Sequence, residues 1–191
     1  MTIESFVRET LGLTDEAVVQ SILPLAEIQT VKKNEIVLRE GQTPERLAFL
    51  WSGAFRGYFN SRTGKDATDC FCCRPGDPIV ASIPFYAPAQ ITMQAIKQSE
   101  MFTVPIQAAV GLIEREPEAQ RLHDRLMYHS MNIHAEIRQM LSSMDAAEKY
   151  RWFISRYPEL EEDVPLRYIA SFLDVSPVTL SRVRAAQGIP V

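Results

Sequence analysis

The hydrophobic pattern changes period twice along the chain, and each change marks a new kind of element. Up to about Ala26, the apolar residues Phe6, Val7, Leu11, Val18, Val19, Ile22 and Leu23 recur at helical spacing, with Thr14 as the expected cap before Asp15 and Glu16. From Ile28 the texture becomes β-rich, in the short runs EIQTV, EIVLRE, RLAFLWSG, AFRGYF, ATDCFCC, ITMQAI and MFTVP. Turn signals at Lys33-Asn34, Gly41, Gly53, Thr63-Gly64, Pro75-Gly76 and Lys97-Gln98 separate them, and Asn60 to Lys65 is the clearest hairpin loop. Many short strands at regular spacing predict an antiparallel sandwich or roll.

After Pro105 the helical period returns. Ile106 to Glu114 forms a short helix ended near Pro117, and a long one runs from about Glu118 to Ser143. Along the long helix Met127, Met131 (or Ser130), His134, Ile137, Leu141 and Met144 make one heptad-like stripe, and Leu122, Leu126, Ile133 and Met140 make a second beside it. Two apolar stripes need two covers. One lies on the chain's own β-domain, and the first stripe is expected to pair with the same helix of a second chain; burial of both within one chain is the alternative. Helix continues from Met144 to Tyr157, rich in aromatics, and stops before Pro158, after which Glu159 to Asp163 is an acidic connector.

Val164 to Ala185, VPLRYIASFLDVSPVTLSRVRA, reads as two short helices around a turn at Asp174-Val175. Ile169, Ala170, Phe172 and Leu173 give the first helix an apolar face, and small Ala170 lets the second approach closely. Ser176 is an N-cap and Pro177 falls at the first helical position, where its missing N–H costs nothing. Leu180 and Val183 anchor the second helix, Pro177 to Ala186. Ser176, Val178, Thr179, Ser181, Arg182 and Arg184 are then its candidate DNA contacts, since an outward arginine can fork onto guanine edges and hydroxyls reach bases or phosphates. An ordinary helical hairpin with a solvated face is the plain alternative.

Bulk properties narrow the picture. The 191 residues are 46% hydrophobic, enough for a packed core, and the net charge of −4 argues against non-specific coating of nucleic acid. DNA affinity must therefore come from a local surface. No stretch is apolar and long enough to span a membrane and the start, MTIESFVRETLG, lacks a signal-peptide layout, so a cytoplasmic protein without a membrane partner is expected. The cysteines Cys70, Cys72 and Cys73 lie in one run without a CxxC pair, so buried small hydrophobes fit better than a metal or disulfide site, with redox sensing left open. The histidines His123, His129 and His134 all fall on the long helix, no two at the i, i+4 spacing of paired ligands. Neither a metal, a cofactor nor a catalytic residue is expected.

The order roll, long helix, helical hairpin resembles the Crp/Fnr family of bacterial transcription regulators over nearly the whole chain. The residues that carry the resemblance are ERLAFLWSGAFRGYF, SRTGKDATDCF, the RPGD turn at Arg74 to Asp77, and above all IASFLDVSPVTLSRVR. It looks like the short-tailed branch, in which the reading helix nearly ends the protein. The resemblance implies an α+β chain. An antiparallel, cyclic nucleotide-binding-like jelly roll flanked by helices fills 1–117, a long dimerisation helix 118–144, and a small all-α helix-turn-helix domain 145–191. It further implies a homodimer on double-stranded DNA with two reading helices one DNA turn apart, Arg182 as base-contacting arginine, a small-molecule effector and RNA polymerase as partners. Family members that bind cyclic nucleotides carry a Gly-Glu pair and an Arg-Ser pair; the matching positions here are Val80-Ala81 and Ala89-Gln90, so none of the four is retained. Without the arginine a phosphate loses its fork, and without the glutamate a ribose hydroxyl loses an acceptor. The expectation is a regulator with an effector other than cyclic AMP, or with none. Ser82, Tyr86, Gln90 and His134 are the pocket candidates, with Arg56 and Arg74 nearby. A ligand-binding or protein-interaction module that has lost DNA binding is the competing function.

Overall fold

The computed structural model describes residues 1–60, 66–160 and 164–186. The hairpin loop expected at Asn60 to Lys65 thus lies outside them from Ser61 onward, as do residues 161–163 of the acidic connector and the last five residues. Seven strands form among the described residues: β1 Glu27–Val31, β2 Ile36–Leu38, β3 Arg46–Ser52, β4 Phe55–Asn60, β5 Asp66–Cys72, β6 Thr92–Ala95 and β7 Ser99–Pro105. Each falls on one of the β-rich runs. They make two antiparallel sheets, ordered β1-β7-β3 and β2-β6-β4-β5.

The period of two decides what each face buries. In β3, Leu50 turns between the sheets, joining Val31, Leu38, Phe55, Met93 and Met101 in the roll interior, while its neighbour Phe49 turns outward. There Phe49 and Phe102 meet the N-terminal helices α1 (Ile3–Ser5) and α2 (Glu16–Ile22), a π-helical turn at Phe6–Thr10 between them, and the helices α3 (Ile106–Arg115) and α4 (Pro117–Ser143). Cys72 of β5 likewise points into the roll, and Phe71 points away from it. Gly53, between β3 and β4, has φ +99° and sits so close to β7 that an added Cβ would stand 2.6 Å from Ser99 Cα. Only glycine fits that turn without strain.

Asp15, not Thr14, caps α2: its carboxylate accepts the N–H groups of Ala17 and Val18. Thr14 is held by a residue remote in sequence, since Glu118 at the start of α4 accepts both its N–H and its hydroxyl at 2.9 Å, as well as the N–H of Asp15 at 2.8 Å. Those bonds hold the Glu118 carboxyl below its ordinary pKa against the opposing effect of burial.

Helix α4 spans 27 residues, about 40 Å at 1.5 Å per residue. Its first half lies on the roll through Leu122 and Leu126. Its second half, with α5 (Ala146–Arg156), α6 (Leu166–Phe172) and α7 (Pro177–Ala186), encloses a further core built on Met140, Tyr150, Phe153, Ile169, Leu173 and Leu180. Phe71 of the roll enters that core, edge to face with Phe153 and Tyr157. Among the described residues no helix is long and apolar enough to cross a membrane.

Candidate nucleic-acid interface and ligand cavity

The last hairpin folds for the reasons its residues suggest. Ile169 and Ala170 of α6 and Leu173 just after it are fully buried, as is Leu180 of α7, and Val183 packs on the same cluster. Asp174 takes φ +51° in the turn, a left-handed conformation that aspartate tolerates better than most residues. The Ser176 hydroxyl accepts the Thr179 N–H at 3.0 Å and also lies 2.8 Å from the Thr179 hydroxyl. The Ser176 hydroxyl thus makes two bonds to Thr179 and the Thr179 hydroxyl one, and each retains capacity for another.

The six candidate DNA contacts fall in two groups. Ser176, Val178, Thr179 and Arg182 are exposed, with Val178 at 60%, and together they form one face of α7. Ser181 and Arg184 are half-buried, and Arg184 Nε is enclosed. The exposed face carries one guanidinium, two hydroxyls and an isopropyl group, a set that can meet base edges, phosphates and a thymine methyl.

The expected effector pocket does not assemble between the sheets. Ala81 and Ala89, two of the four positions that the resemblance matched to nucleotide contacts, are buried in the roll interior with Ile79 and Met93. The Gln90 N–H donates to the Ala81 carbonyl at 2.8 Å, which closes the two ends of this segment on each other. Ser82 is buried, and its hydroxyl lies 2.9 Å from the Ala87 carbonyl and 3.2 Å from that of Pro84, so it serves its own loop. Tyr86 is half exposed, and Gln90 and His134 are exposed. Ser82 and His134 do border one shared space: an apolar groove of about 220 Å³ outside the roll interior, between this loop and α4, lined also by Ile83, Phe85 and Met127. Tyr86 and Gln90 are not part of it.

Arg56 lies elsewhere, while Arg74 borders the same groove beside Cys73 and Asp77. Arg56 is 2% exposed and forked onto Asp66, Thr68 and Gln94 on the outer side of the second sheet. Arg74 donates through Nη2 to the carbonyl of Arg156 at 2.7 Å, across to the end of α5. Asp77 completes the RPGD turn by accepting the N–H groups of Cys73 and Arg74 at 2.9 Å each. The three cysteines are free thiols. Burial pushes Cys70 and Cys73 up to about 12, and Cys72 well above its ordinary value. Among the described residues no cluster of His, Cys, Asp or Glu could hold a metal ion.

Of the stripe expected to face a second chain, Ile137 is buried in the chain's own core, and Leu141 and Met144 pack against the same cluster. Met127 is half-buried, while Met131 and His134 are exposed. The large apolar side chains that α4 leaves in solvent are Tyr128, 69% exposed, and Met131, 61% exposed. Sequence reasoning missed Tyr128; its spacing of three from Met131 was the available signal.

Residues 28–116 match the family of cyclic nucleotide-binding domains. No curated protein matches the chain. Among solved structures, FixK2 from Bradyrhizobium japonicum is similar at a TM-score of 0.75 and 19% identity, over 85% of this chain and 86% of that one. A transcriptional regulator of the Crp/Fnr family from Eubacterium rectale follows at 0.71 and 17%, over 92% and 84%. The c-di-GMP responsive global regulator CLP of Xanthomonas campestris aligns at 0.69 and 13%, over 91% and 92%. Residues 28–116 are thus similar to cyclic nucleotide-binding domains, and the chain has the fold of the Crp/Fnr-type regulators.

Proposed function

We propose that this protein is a homodimeric, sequence-specific DNA-binding transcription regulator that reads a two-fold site with α7, under an effector other than cyclic AMP or under none. The observation that carries the reading is the exposed face of α7. Thr179 and Arg182 point out over a helix that Leu180 and Val183 seat on α6, with Ser176 and Val178 beside them. That is the placement a recognition helix needs in a major groove. The protein's negative net charge makes such a local face the more telling.

The dimer seam runs along Tyr128, Met131 and Ala135, which repeat at spacings of three and four on the side of α4 left in solvent. Ile137, Leu141 and Met144 support it from within the chain. The absence of cyclic AMP control rests on Ala81 and Ala89, whose methyl groups belong to the packed interior.

Selection of bound DNA from a random pool tests this reading. A two-fold site with half-sites about 10 base pairs apart centre to centre, and affinity that falls steeply with salt, is the expected result. Failure to enrich any sequence at low salt overturns it in favour of a ligand-binding or protein-interaction module.

A further inference from the structure

Beneath α6 the roll presents a buried cation. The Arg56 guanidinium lies between two tyrosine rings, 3.5 Å from the centroid of Tyr168 on α6 and 4.2 Å from that of Tyr58 on its own strand. Its N–H groups are spent on the roll: Nη2 on Asp66 at 2.5 Å, Nη1 on Thr68 at 3.3 Å, and Nε and Nη2 on Gln94 at 3.1 and 3.0 Å. An arginine stays charged wherever it is put, and a charge taken out of water must be paired. Asp66 and Gln94 do that in the plane of the fork; Tyr168, itself 6% exposed, covers its face.

A second contact lies beside the first. Strand β5 is an edge of its sheet, so its outer N–H and C=O groups have no strand to pair with. Ser171 of α6 takes that place: its hydroxyl accepts the Thr68 N–H at 3.0 Å and donates to the Asp66 carbonyl at 3.2 Å. One side chain thus satisfies both kinds of backbone group that a neighbouring strand would have met. Arg74, just past the other end of the strand, is bonded to the Arg156 carbonyl and ties that end to α5.

We propose that Arg56 is a positioning residue for DNA reading: by docking α6 on the β5 edge, it fixes α7 relative to the roll and so sets the spacing at which two reading helices can be offered to DNA. This rests on the functional reading above. Arg56 does not touch DNA; it acts through Tyr168 and Ser171. Arginine is required because the contact uses both a plane to stack and a fork to bond, which a shorter cation or an apolar chain of equal length supplies in part at best.

The test uses the full-length protein and two variants, Arg56→Met from the roll side and Ser171→Ala from the α6 side. Hydrogen exchange, without DNA, is read at the Thr68 amide. Binding is then read on selected two-fold sites with half-sites at their selected spacing or moved apart by two base pairs, and on a single half-site. In both variants exchange at Thr68 is expected to rise about tenfold or more, since the bond that protects it is lost or freed to open. Wild type should favour the selected spacing by about tenfold or more, and the variants should lose most of that preference while binding a single half-site as wild type does. Unchanged exchange at Thr68, or affinity that falls equally at every spacing, overturns the positioning role. If Arg56→Met fails to fold, Arg56→Lys, which keeps the charge without the plane and the fork, decides the matter by the same readings, with Ser171→Ala as the control for exchange at Thr68. Wild-type protein that enriches no DNA overturns the functional reading and with it the positioning role, whereas exchange at Thr68 still shows whether the docking contact is real.

Discussion

At the scale of single residues, two arginines on one helix have different fates. Arg182 is on the exposed face of α7, while Arg184 is half-buried with its Nε enclosed. Replacing Arg182 by alanine should therefore cost about 1–3 kcal/mol of DNA affinity and relax preference at one base position, read by comparing the sites each protein selects. The cysteines lead to a different expectation. Cys70 and Cys73 titrate near 12 in the folded chain because burial disfavours their thiolates, and Cys72 is pushed up for the same reason. An unfolded thiol titrates near about 8.5. Folded pKa values above unfolded ones mean that the native state binds more protons in that interval. The thiols thus do not oppose folding below about pH 8.5, and stability declines as pH rises from there toward the folded values. Urea melts at pH 7, 9 and 10 should show that decline, and replacing all three cysteines by alanine should flatten it. An equal slope in the variant would assign the alkaline loss to other groups.

At the scale of elements, each of the seven strands lies where a β-rich run and its turn signals put it, because alternation and turn chemistry are local. The extents of α3, α4 and α7 were legible for the same reason. What was not legible depends on groups far apart in sequence. Thr14 looked like a cap until Glu118 claimed it. Arg56 looked like a pocket residue, and nothing in its neighbourhood names Tyr168 as its cover. The two stripes of α4 were both visible, but not which of them faces the chain's own core. That question turns on the aromatic cluster of α5 and α6, which fills the side where Ile137 points. Two substitutions separate the roles. Met131→Glu should convert dimer to monomer in analytical ultracentrifugation at micromolar concentration, with the thermal midpoint of the monomer fold little changed, since Met131 is 61% exposed. Ile137→Ala should instead destabilise the fold by about 2–5 kcal/mol, the cost of a cavity in a packed core.

At the scale of the molecule, the outer face of the roll and the C-terminal helices share one core, distinct from the roll interior. Ala54, Phe71 and Ile96 of the roll are buried with the aromatic residues of α5 and α6, and Leu180 of α7 belongs to the same cluster. On the proposed reading, a nucleotide finds no prepared site between the sheets. Val31, Leu38, Leu50, Phe55 and Met93 meet between the sheets, and Ala81 and Ala89 complete the wall where a phosphate and a ribose would need a cation and an acceptor. Arg56 cannot substitute, since its fork is bonded to Asp66, Thr68 and Gln94 and its face is covered by Tyr168. A nucleotide would have to displace packed apolar groups and bury an anion unpaired, a cost of several kcal/mol before any gain. The magnitude makes the test decisive. A ligand at a hundred times its dissociation constant stabilises the native state by about 2.7 kcal/mol. In a chain of this size that raises the melting midpoint by about 5–10 °C. With cyclic AMP at hundreds of micromolar, the midpoint should therefore stay within the scatter of repeated melts. A shift of several degrees would mean that the interior opens to admit the nucleotide, and that Ala81 and Ala89 do not close the site.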